Sequence, residues 1–304
     1  MVNNAHPAIS RFPVADLSLA VETRRPEGNP ALLFAHGFGQ TRGAWNGAAA
    51  ALAQAGCRCV TFDTRGHGES DRVPGGADSG SGYHMQQFAD DLLQLAAAQP
   101  QPPILVGASM GGLLGIVLAG EVRPSPFRAL VLVDITPRWE TAGVERILAF
   151  MQAHPDGFAN YADAAEQIAA YLPQRRERKS EQQLRPLLRE SADGRLRWHW
   201  DPALLAGDLV QESERYQPRL QGAATKIDVP VLLLSGARSD VVSRATVDEF
   251  LQLVPHAQHV ELPHATHMVA GDANDAFTRE VVRFVQSLAP LPADRHLAGA
   301  VQSQ

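Results

Sequence analysis

The 304-residue chain has little cysteine, no long apolar run and no excess of positive charge, and each absence excludes a class of protein. Cys57 and Cys59 are too few and too close for a disulfide framework or a zinc site, so we interpret them as buried thiols in a reducing compartment. No stretch approaches the roughly 20 apolar residues that span a bilayer. With 27 Lys and Arg against 33 Asp and Glu, the formal net charge of -6 excludes a basic nucleic-acid-binding surface as the main interpretation.

The N-terminal residues lack the basic start and the continuous apolar stretch of a secretory signal peptide. The overall composition, 45% hydrophobic and 20% charged, is ordinary for a globular chain and excludes a mainly disordered one. We therefore predict a cytoplasmic protein with a small-molecule substrate and with neither nucleic acid nor membrane as a partner.

Short apolar runs bounded by Gly, Pro or Asp alternate with helix-length segments, which is typical of a parallel sheet buried on both faces. The predicted strands cover residues 31–35, 58–62, 103–107, 129–133, 230–235 and 258–262. The predicted helices cover residues 44–55, 84–98, 109–122, 243–253 and 273–288. The helix over 109–122 is apolar almost all round, so we expect it to be buried at the centre of the molecule.

The alternation stops after the strand at 129–133, where helical patterns with charge-rich stretches replace it and no strand is predicted. It resumes near Val229. We therefore predict an α/β core over residues 1–137 and 223–289, a helical cap over 138–222 and a mobile tail over 290–304.

The strongest local signal is Gly107-Ala108-Ser109-Met110-Gly111-Gly112, a G-x-S-x-G that directly follows a predicted strand and precedes a predicted helix. A sharp turn in that context lifts the serine hydroxyl clear of the sheet, and the flanking glycines avoid Cβ clashes. A glycine-rich helix start is the structural alternative. The strand-turn-helix setting favours a nucleophile at Ser109.

A serine becomes a good nucleophile only with a histidine base and a carboxylate that orients the histidine. His267 follows the last predicted strand at the sheet edge where Ser109 is expected, and His264 in the same loop is its rival. For the carboxylate we favour Asp240, which also follows a strand, over Asp134, which ends the strand before the predicted cap. Either aspartate could instead cap a helix or a turn.

A glycine-rich turn, His36-Gly37-Phe38-Gly39, follows another predicted strand. Such a turn can aim backbone N–H groups at a developing oxyanion, and we assign this role to the N–H groups of Phe38 and Met110. A dinucleotide-binding turn is the alternative interpretation. It fits poorly because Arg42 occupies the place of the third glycine and Asp63 is the only acidic candidate for the ribose.

Five motifs occur in an order known from one superfamily, and they are His36–Gly39, Asp63–Ser70, Gly107–Gly112, Gly236–Asp240 and Thr266–His267. On these residues the chain, over about residues 9–289, resembles the α/β-hydrolase superfamily, and within it the serine esterase, C-C hydrolase and cofactor-free haloperoxidase group. The resemblance implies an α/β-hydrolase fold with a mostly parallel central sheet flanked by helices and a helical cap inserted after the sixth strand. It assigns the nucleophile to Ser109, the acid to Asp240 and the base to His267, with no cofactor and no metal.

Three tryptophans fall in the predicted cap, and Trp139, Trp198 and Trp200 could form an apolar wall for an acyl or aryl group. Packing of the cap onto the core is the equal alternative. The basic run at 175–179 could contact a carrier protein or a coenzyme thioester, although such a run is more often a solvated helix face.

The predicted function is that of a serine hydrolase, of the carboxylesterase type, that cleaves an ester of a small to medium, largely apolar substrate. A C-C bond hydrolase, a lactonase, a thioesterase and a perhydrolase could use the same three residues, and fold does not choose among them. The alternative from another class is a non-catalytic ligand receptor on the same fold.

Overall fold

The computed structural model describes residues 7–15, 17–74, 82–171, 178–206, 209–267, 269 and 274–288. Its strands are β1 (Ile9–Val14), β2 (Leu17–Arg24), β3 (Ala31–Ala35), β4 (Arg58–Phe62), β5 (Ile104–Ala108), β6 (Ala129–Val133), β7 (Leu188–Glu190), β8 (Leu196–Trp198), β9 (Val231–Gly236) and β10 (Gln258–Leu262). Its helices are α1 (Asn46–Gln54), α2 (Met85–Ala97), α3 (Met110–Glu121), α4 (Thr141–Gln152), α5 (Tyr161–Tyr171), α6 (Glu181–Leu184), α7 (Leu209–Ala224), α8 (Arg244–Leu253) and α9 (Asn274–Ser287).

Eight strands form one central sheet in the order β1-β2-β4-β3-β5-β6-β9-β10. The pairs β1 with β2 and β2 with β4 are antiparallel, and the remaining pairs are parallel. The predicted mostly parallel sheet flanked by helices is confirmed. Because parallel strands end at the same edge, the loops after β3, β5, β6, β9 and β10 all lie at one side of the molecule.

The central strands are buried on both faces, as their continuous apolar runs predict. All five residues of β6 are buried. Helix α3 is buried along nearly its whole length, which confirms the prediction from its all-round apolar pattern. It packs so closely on the sheet that a Cβ at Gly111 would lie 2.3 Å from the carbonyl oxygen of Ala35, so only glycine fits there.

The sequence pattern did not predict the two strands at the start of the chain. The antiparallel strands β1 and β2 form one edge of the sheet, and the outer strand β1 is mostly exposed. It also contains Pro13, a residue that sheets tolerate mainly on edge strands. Strand β1 therefore lacks the continuous apolar run that marks the buried strands.

The segment between β6 and β9, which we call the insert, has a small apolar core of its own around Phe158, Ile168 and Leu196. The prediction of an insert without strands is wrong, because β7 and β8 pair there as a short antiparallel hairpin. Each of these strands has three residues, too few to show an alternating pattern.

Helix α7 connects the insert to the core. A Cβ at Gly120 of α3 would lie 2.2 Å from the carbonyl oxygen of Ala223, so the two helices are in close backbone contact. The predicted boundary between residues 222 and 223 falls inside α7. The predicted tail over 290–304 lies outside the described residues. None of the helices in the described ranges is long and apolar enough to cross a bilayer.

Candidate active site

Ser109 stands in a strained turn between β5 and α3. Its backbone has φ 46° and ψ -117°, a region that L-residues rarely adopt and that costs of order ~1–3 kcal/mol. Three backbone hydrogen bonds hold the turn: the Ser109 N–H donates to the Val133 carbonyl (3.2 Å), and the Gly112 and Leu113 N–H groups donate to the Ser109 carbonyl (2.9 and 3.0 Å). The turn therefore has the geometry that the G-x-S-x-G pattern predicts.

His267 lies in the loop after β10 and contacts Asp134, at the end of β6. The Nδ1 atom of His267 is 2.7 Å from Oδ2 of Asp134. A carboxylate accepts hydrogen bonds, so Nδ1 carries the proton and donates it. The neutral imidazole then has an unprotonated Nε2, the atom that can act as a base.

Asp134 is fully buried and is held by three donors. Its Oδ1 accepts a hydrogen bond from the Gly236 N–H (2.8 Å), and its Oδ2 accepts one from the Ser239 hydroxyl in addition to that from His267. The backbone of Asp134 has φ 49°, which aspartate tolerates better than most residues. This arrangement fixes the carboxylate and lets it orient the imidazole.

The predicted contact between Asp240 and His267 is wrong. The Asp240 carboxylate is 39% exposed and forms an ion pair with Arg146 of α4. The end of β9 and the loop after it instead enclose Asp134, because Gly236 and Ser239 both donate to it. The aspartate that contacts the histidine thus lies directly after β6, which neighbours β5, the strand that precedes Ser109.

His264, the rival of His267, has an exposed side chain. The backbone of this loop is fixed by the loop after β9, since the Arg238 N–H donates to the Ala265 carbonyl (3.0 Å) and a Cβ at Gly236 would lie 2.5 Å from that same oxygen. The structure brings His267 to a carboxylate and leaves His264 at the surface.

The N–H groups of Phe38 and Met110 lie at the same edge of the sheet. Met110 is the first residue of α3, where an N–H has no partner within the helix. A Cβ at Gly37 would lie 3.2 Å from the Cβ of Ser109, so the turn after β3 directly adjoins the serine. Within the described ranges, neither N–H donates to a protein acceptor. Both groups can therefore receive a ligand oxygen.

Comparison with known proteins identifies the family. A family model of the alpha/beta hydrolase fold matches residues 30–273. The chain belongs to the α/β-hydrolase family. The resemblance inferred from the motifs is thereby confirmed.

Hydrolases of this family are similar over most of the chain. The 3-hydroxybutyrate-oligomer hydrolase of Cupriavidus necator is 31% identical, over 79% of this chain and 84% of that protein. The sn-1-specific diacylglycerol lipase ABHD11 of Mus musculus is 30% identical, over 84% of this chain and 81% of that protein. The crystal structure of E-2-(acetamidomethylene)succinate hydrolase has a TM-score of 0.78 at 24% identity, over 93% of this chain and 100% of that chain, which shows a shared fold.

The insert of this α/β hydrolase packs directly on the turn after β3. A Cβ at Gly39 would lie 2.8 Å from Cε of Met151 and 3.5 Å from the ring of Trp200. The rings of Trp198 and Trp200 are stacked, with centroids 4.6 Å apart. Trp139 and Trp200 are each 5% exposed, so they serve at least to pack the insert on the core. Met151 carried no signal in the sequence that could have marked it.

The D-x-R-G-H-G motif forms a buried framework beside the site. Asp63 accepts hydrogen bonds from the Arg42 backbone N–H (2.7 Å) and the Glu69 N–H (2.9 Å) and forms an ion pair with the Arg42 guanidinium. The Asp63 carboxylate is therefore already occupied by hydrogen bonds that stabilise the motif. This leaves the dinucleotide interpretation without its ribose-binding acid.

Three buried histidines lie in or beside the turn after β3, and they are His36, His67 and His199. Burial lowers the pKa of His36 and lowers that of His67 well below its usual range. Burial lowers the pKa of His199, which lies in the insert, to about 3. All three are therefore neutral in the folded protein near pH 7.

Stability is expected to fall as the pH is lowered from about 7 to about 5. An unfolded histidine titrates near 6.5, whereas His199 in the fold has a pKa of about 3. Between these values the unfolded chain binds more protons, so the free energy of unfolding decreases as the pH falls through this window. By pH 5 His199 alone should account for a loss of about 2 kcal/mol.

Urea unfolding at pH 7, 6 and 5 measures this dependence. The matched variant His199→Gln removes one titrating group, so its free energy of unfolding should decrease less steeply over the same range. Equal slopes for the two proteins would contradict the proposed neutral state of His199.

Proposed function

We propose that the protein is a serine hydrolase that cleaves carboxylic esters, with Ser109 as nucleophile, His267 as base and Asp134 as the acid that orients the base. The observation that carries this proposal is the 2.7 Å contact between His267 Nδ1 and Asp134, at the sheet edge where the strained turn presents Ser109. The sequence predicts Asp240 as the acid of the site, and this proposal assigns that role to Asp134 instead.

In the first half of the proposed reaction, Ser109 Oγ attacks the ester carbonyl while His267 Nε2 takes its proton. The carbonyl oxygen becomes an oxyanion, and the N–H groups of Phe38 and Met110 donate to it. When the tetrahedral intermediate collapses, His267 returns the proton to the leaving alcohol. The products of this half are the free alcohol and an acyl group on Ser109.

Water completes the proposed cycle. His267 removes a proton from water as the water attacks the acyl group, and a second oxyanion forms at the same two N–H groups. Collapse breaks the bond to Ser109, and the proton on His267 returns to the serine oxygen. The carboxylic acid is released, and no cofactor or metal takes part in any step.

The proposed substrates are esters of small to medium size with a largely apolar acyl group. Met151 and Trp200 pack beside the turn that carries Phe38 and give the site an apolar boundary. The relatives named above act on a hydroxybutyrate oligomer and on a diacylglycerol, both of which contain ester bonds. The predicted carrier-protein contact has less support, since most of the basic run at 175–179 lies outside the described residues.

A substrate panel tests the proposal. It contains p-nitrophenyl esters of increasing acyl length, the linear dimer of 3-hydroxybutyrate, a diacylglycerol, a simple lactone and a vinylogous diketone. We expect the highest kcat/KM for one of the linear esters. A higher kcat/KM for the diketone would contradict ester hydrolysis in favour of C-C cleavage, and turnover of the lactone alone would favour a lactonase.

A further inference from the structure

The turn after β3, residues 36–40, carries the proposed oxyanion donor Phe38, and we call it the oxyanion loop. Histidine side chains form hydrogen bonds with its successive peptide units. His36 Nε2 accepts from the Thr64 N–H (3.0 Å), so the proton of this ring is on Nδ1, which donates to the Gly37 carbonyl (2.8 Å). That carbonyl belongs to the same peptide unit as the Phe38 N–H. The direction of the proposed oxyanion donor is thus set through His36.

His67 holds the next peptide unit. Its Nε2 accepts a hydrogen bond from the Gly39 N–H (3.1 Å), and its protonated Nδ1 lies 3.0 Å from both the Arg65 carbonyl and the Thr64 hydroxyl. His36 and His67 both belong to the core. They fix the first two peptide units that follow Gly37.

His199 of the insert holds the third peptide unit. Its Nδ1 accepts from the Gly68 N–H (3.0 Å), which places the proton on Nε2. The Nε2–H group lies 3.2 Å from the Gly39 carbonyl and donates to it. Gly39 is therefore held on both sides, by His67 of the core through its N–H and by His199 of the insert through its carbonyl.

Gly39 is the position where such support matters. Its φ of 74° lies in the left-handed region, and it carries no side chain that could anchor it. Glycine is the most flexible residue in an unfolded chain, so its conformation here is held by these contacts together with the turn's own hydrogen bond from the Gln40 N–H to the Gly37 carbonyl (3.1 Å). Loss of the His199 contact would remove the support that the insert gives to the peptide unit between Gly39 and Gln40.

We propose that His199 is a positioning residue that couples the insert to catalysis, because its hydrogen bond to the Gly39 carbonyl keeps the Phe38 N–H aimed at the oxyanion. This inference rests on the proposed function, since it assigns a positioning role to a residue beside the same site. The proposed role requires an uncharged side chain that both accepts and donates a hydrogen bond. A neutral imidazole meets that need, and burial keeps His199 neutral.

The segment around His199 is itself anchored to the core. The Asp201 N–H donates to the Gly66 carbonyl (2.7 Å), and the Asp201 carboxylate accepts from the Tyr83 hydroxyl (2.7 Å). These bonds keep the backbone of the segment in place when the side chain of His199 is changed. The contact to Gly39 can therefore be removed separately.

Two variants separate the two hydrogen bonds of His199. In His199→Asn the short amide can still accept from the Gly68 N–H but does not reach the Gly39 carbonyl. In His199→Gln the longer amide reaches that carbonyl as a donor and gives up the bond to Gly68. We expect His199→Asn to lower kcat about 10-fold, less than the ~10²–10³ lost when an oxyanion donor is removed outright, with KM changed less than about 3-fold. His199→Gln should recover most of the lost kcat.

The matched control is His256→Asn. His256 Nε2 also bonds a backbone carbonyl, that of Val229 (2.9 Å), but at the surface and away from the oxyanion loop. Its kcat should equal that of the unmodified protein. An unchanged kcat in His199→Asn would overturn the inference. Equal losses in His199→Asn and His199→Gln would also overturn it and assign the effect to a general loss of packing.

Amide hydrogen exchange supplies a readout that does not depend on turnover. Peptides that cover residues 37–42 should exchange faster in His199→Asn than in the unmodified protein, and more slowly again in His199→Gln. If the protein hydrolyses no ester, the proposed function fails while faster exchange in His199→Asn still supports the coupling. Unchanged exchange in that variant would overturn the coupling, whatever the enzyme's activity.

Discussion

Replacing Asp134 with asparagine is expected to lower kcat by on the order of 10⁴, the loss expected when the catalytic histidine is held in the wrong tautomer. The two oxygens of Asp134 have different partners, since Oδ1 accepts from the fixed N–H of Gly236 and Oδ2 accepts from His267 and Ser239. An asparagine has one acceptor oxygen. The Gly236 N–H will donate a hydrogen bond to this oxygen, so the amide NH2 will face His267.

That orientation of the amide changes the tautomer of His267. With an NH2 group opposite it, Nδ1 of His267 becomes an acceptor, and the proton moves to Nε2, the atom that receives the proton of Ser109 in the proposed mechanism. The substitution is nearly isosteric, so the fold should persist. Steady-state kinetics on the best ester of the panel, together with a thermal unfolding curve, measures both quantities.

Asp240→Asn is the matched control for this experiment. It removes only a partly exposed ion pair with Arg146, a class of contact worth about 0–1 kcal/mol. Its kcat should stay within about 3-fold of the unmodified value. A severe loss in Asp240→Asn with little effect in Asp134→Asn would return the acid to Asp240 and would mean that the loop after β9 rearranges during turnover.

The sequence predicts those parts of the site that depend on local geometry. Ser109 is identified because a strand, a sharp glycine-flanked turn and a helix are consecutive in the chain. The turn at 36–39 is identified because a glycine-rich sequence directly follows a predicted strand. The core strands and the buried helix α3 follow from continuous apolar runs, and the structure confirms them.

The choice of acid could not be made from the sequence, because it depends on which loops meet in space. Asp134 and Asp240 both follow a strand at the same sheet edge. What separates them is that Asp134 comes directly after its strand and is enclosed, whereas Asp240 lies four residues past Gly236 and faces solvent. The position directly after β6, next to the strand that precedes the proposed nucleophile, is the signal that favours Asp134 once the strand order is known.

His199 was missed for a related reason. It lies in the insert, far along the chain from the motifs that mark the site. Its contacts to Gly68 and Gly39 span 131 and 160 residues of sequence, and no local pattern encodes them. Tertiary contacts of a polar side chain with backbone groups leave no periodic trace, unlike the burial of an apolar face.

Covalent labelling of Ser109 has the largest expected effect of any change, because the nucleophile is either present or absent. A fluorophosphonate reacts with an activated serine and mimics the attacked carbonyl. In the proposed mechanism Ser109 reacts because His267 Nε2 accepts its proton and because the N–H groups of Phe38 and Met110 donate to the developing oxyanion. Ser109→Ala should abolish both labelling and ester turnover, whereas Ser191→Ala, in the turn of the β7-β8 hairpin, should leave both intact.

The most direct test of the proposed serine hydrolase is therefore fluorophosphonate labelling of the native protein, followed by mass spectrometry of the labelled peptide. The predicted result is a single adduct on Ser109 that is absent from Ser109→Ala. An unlabelled native protein, or an adduct that persists in Ser109→Ala, would contradict the account.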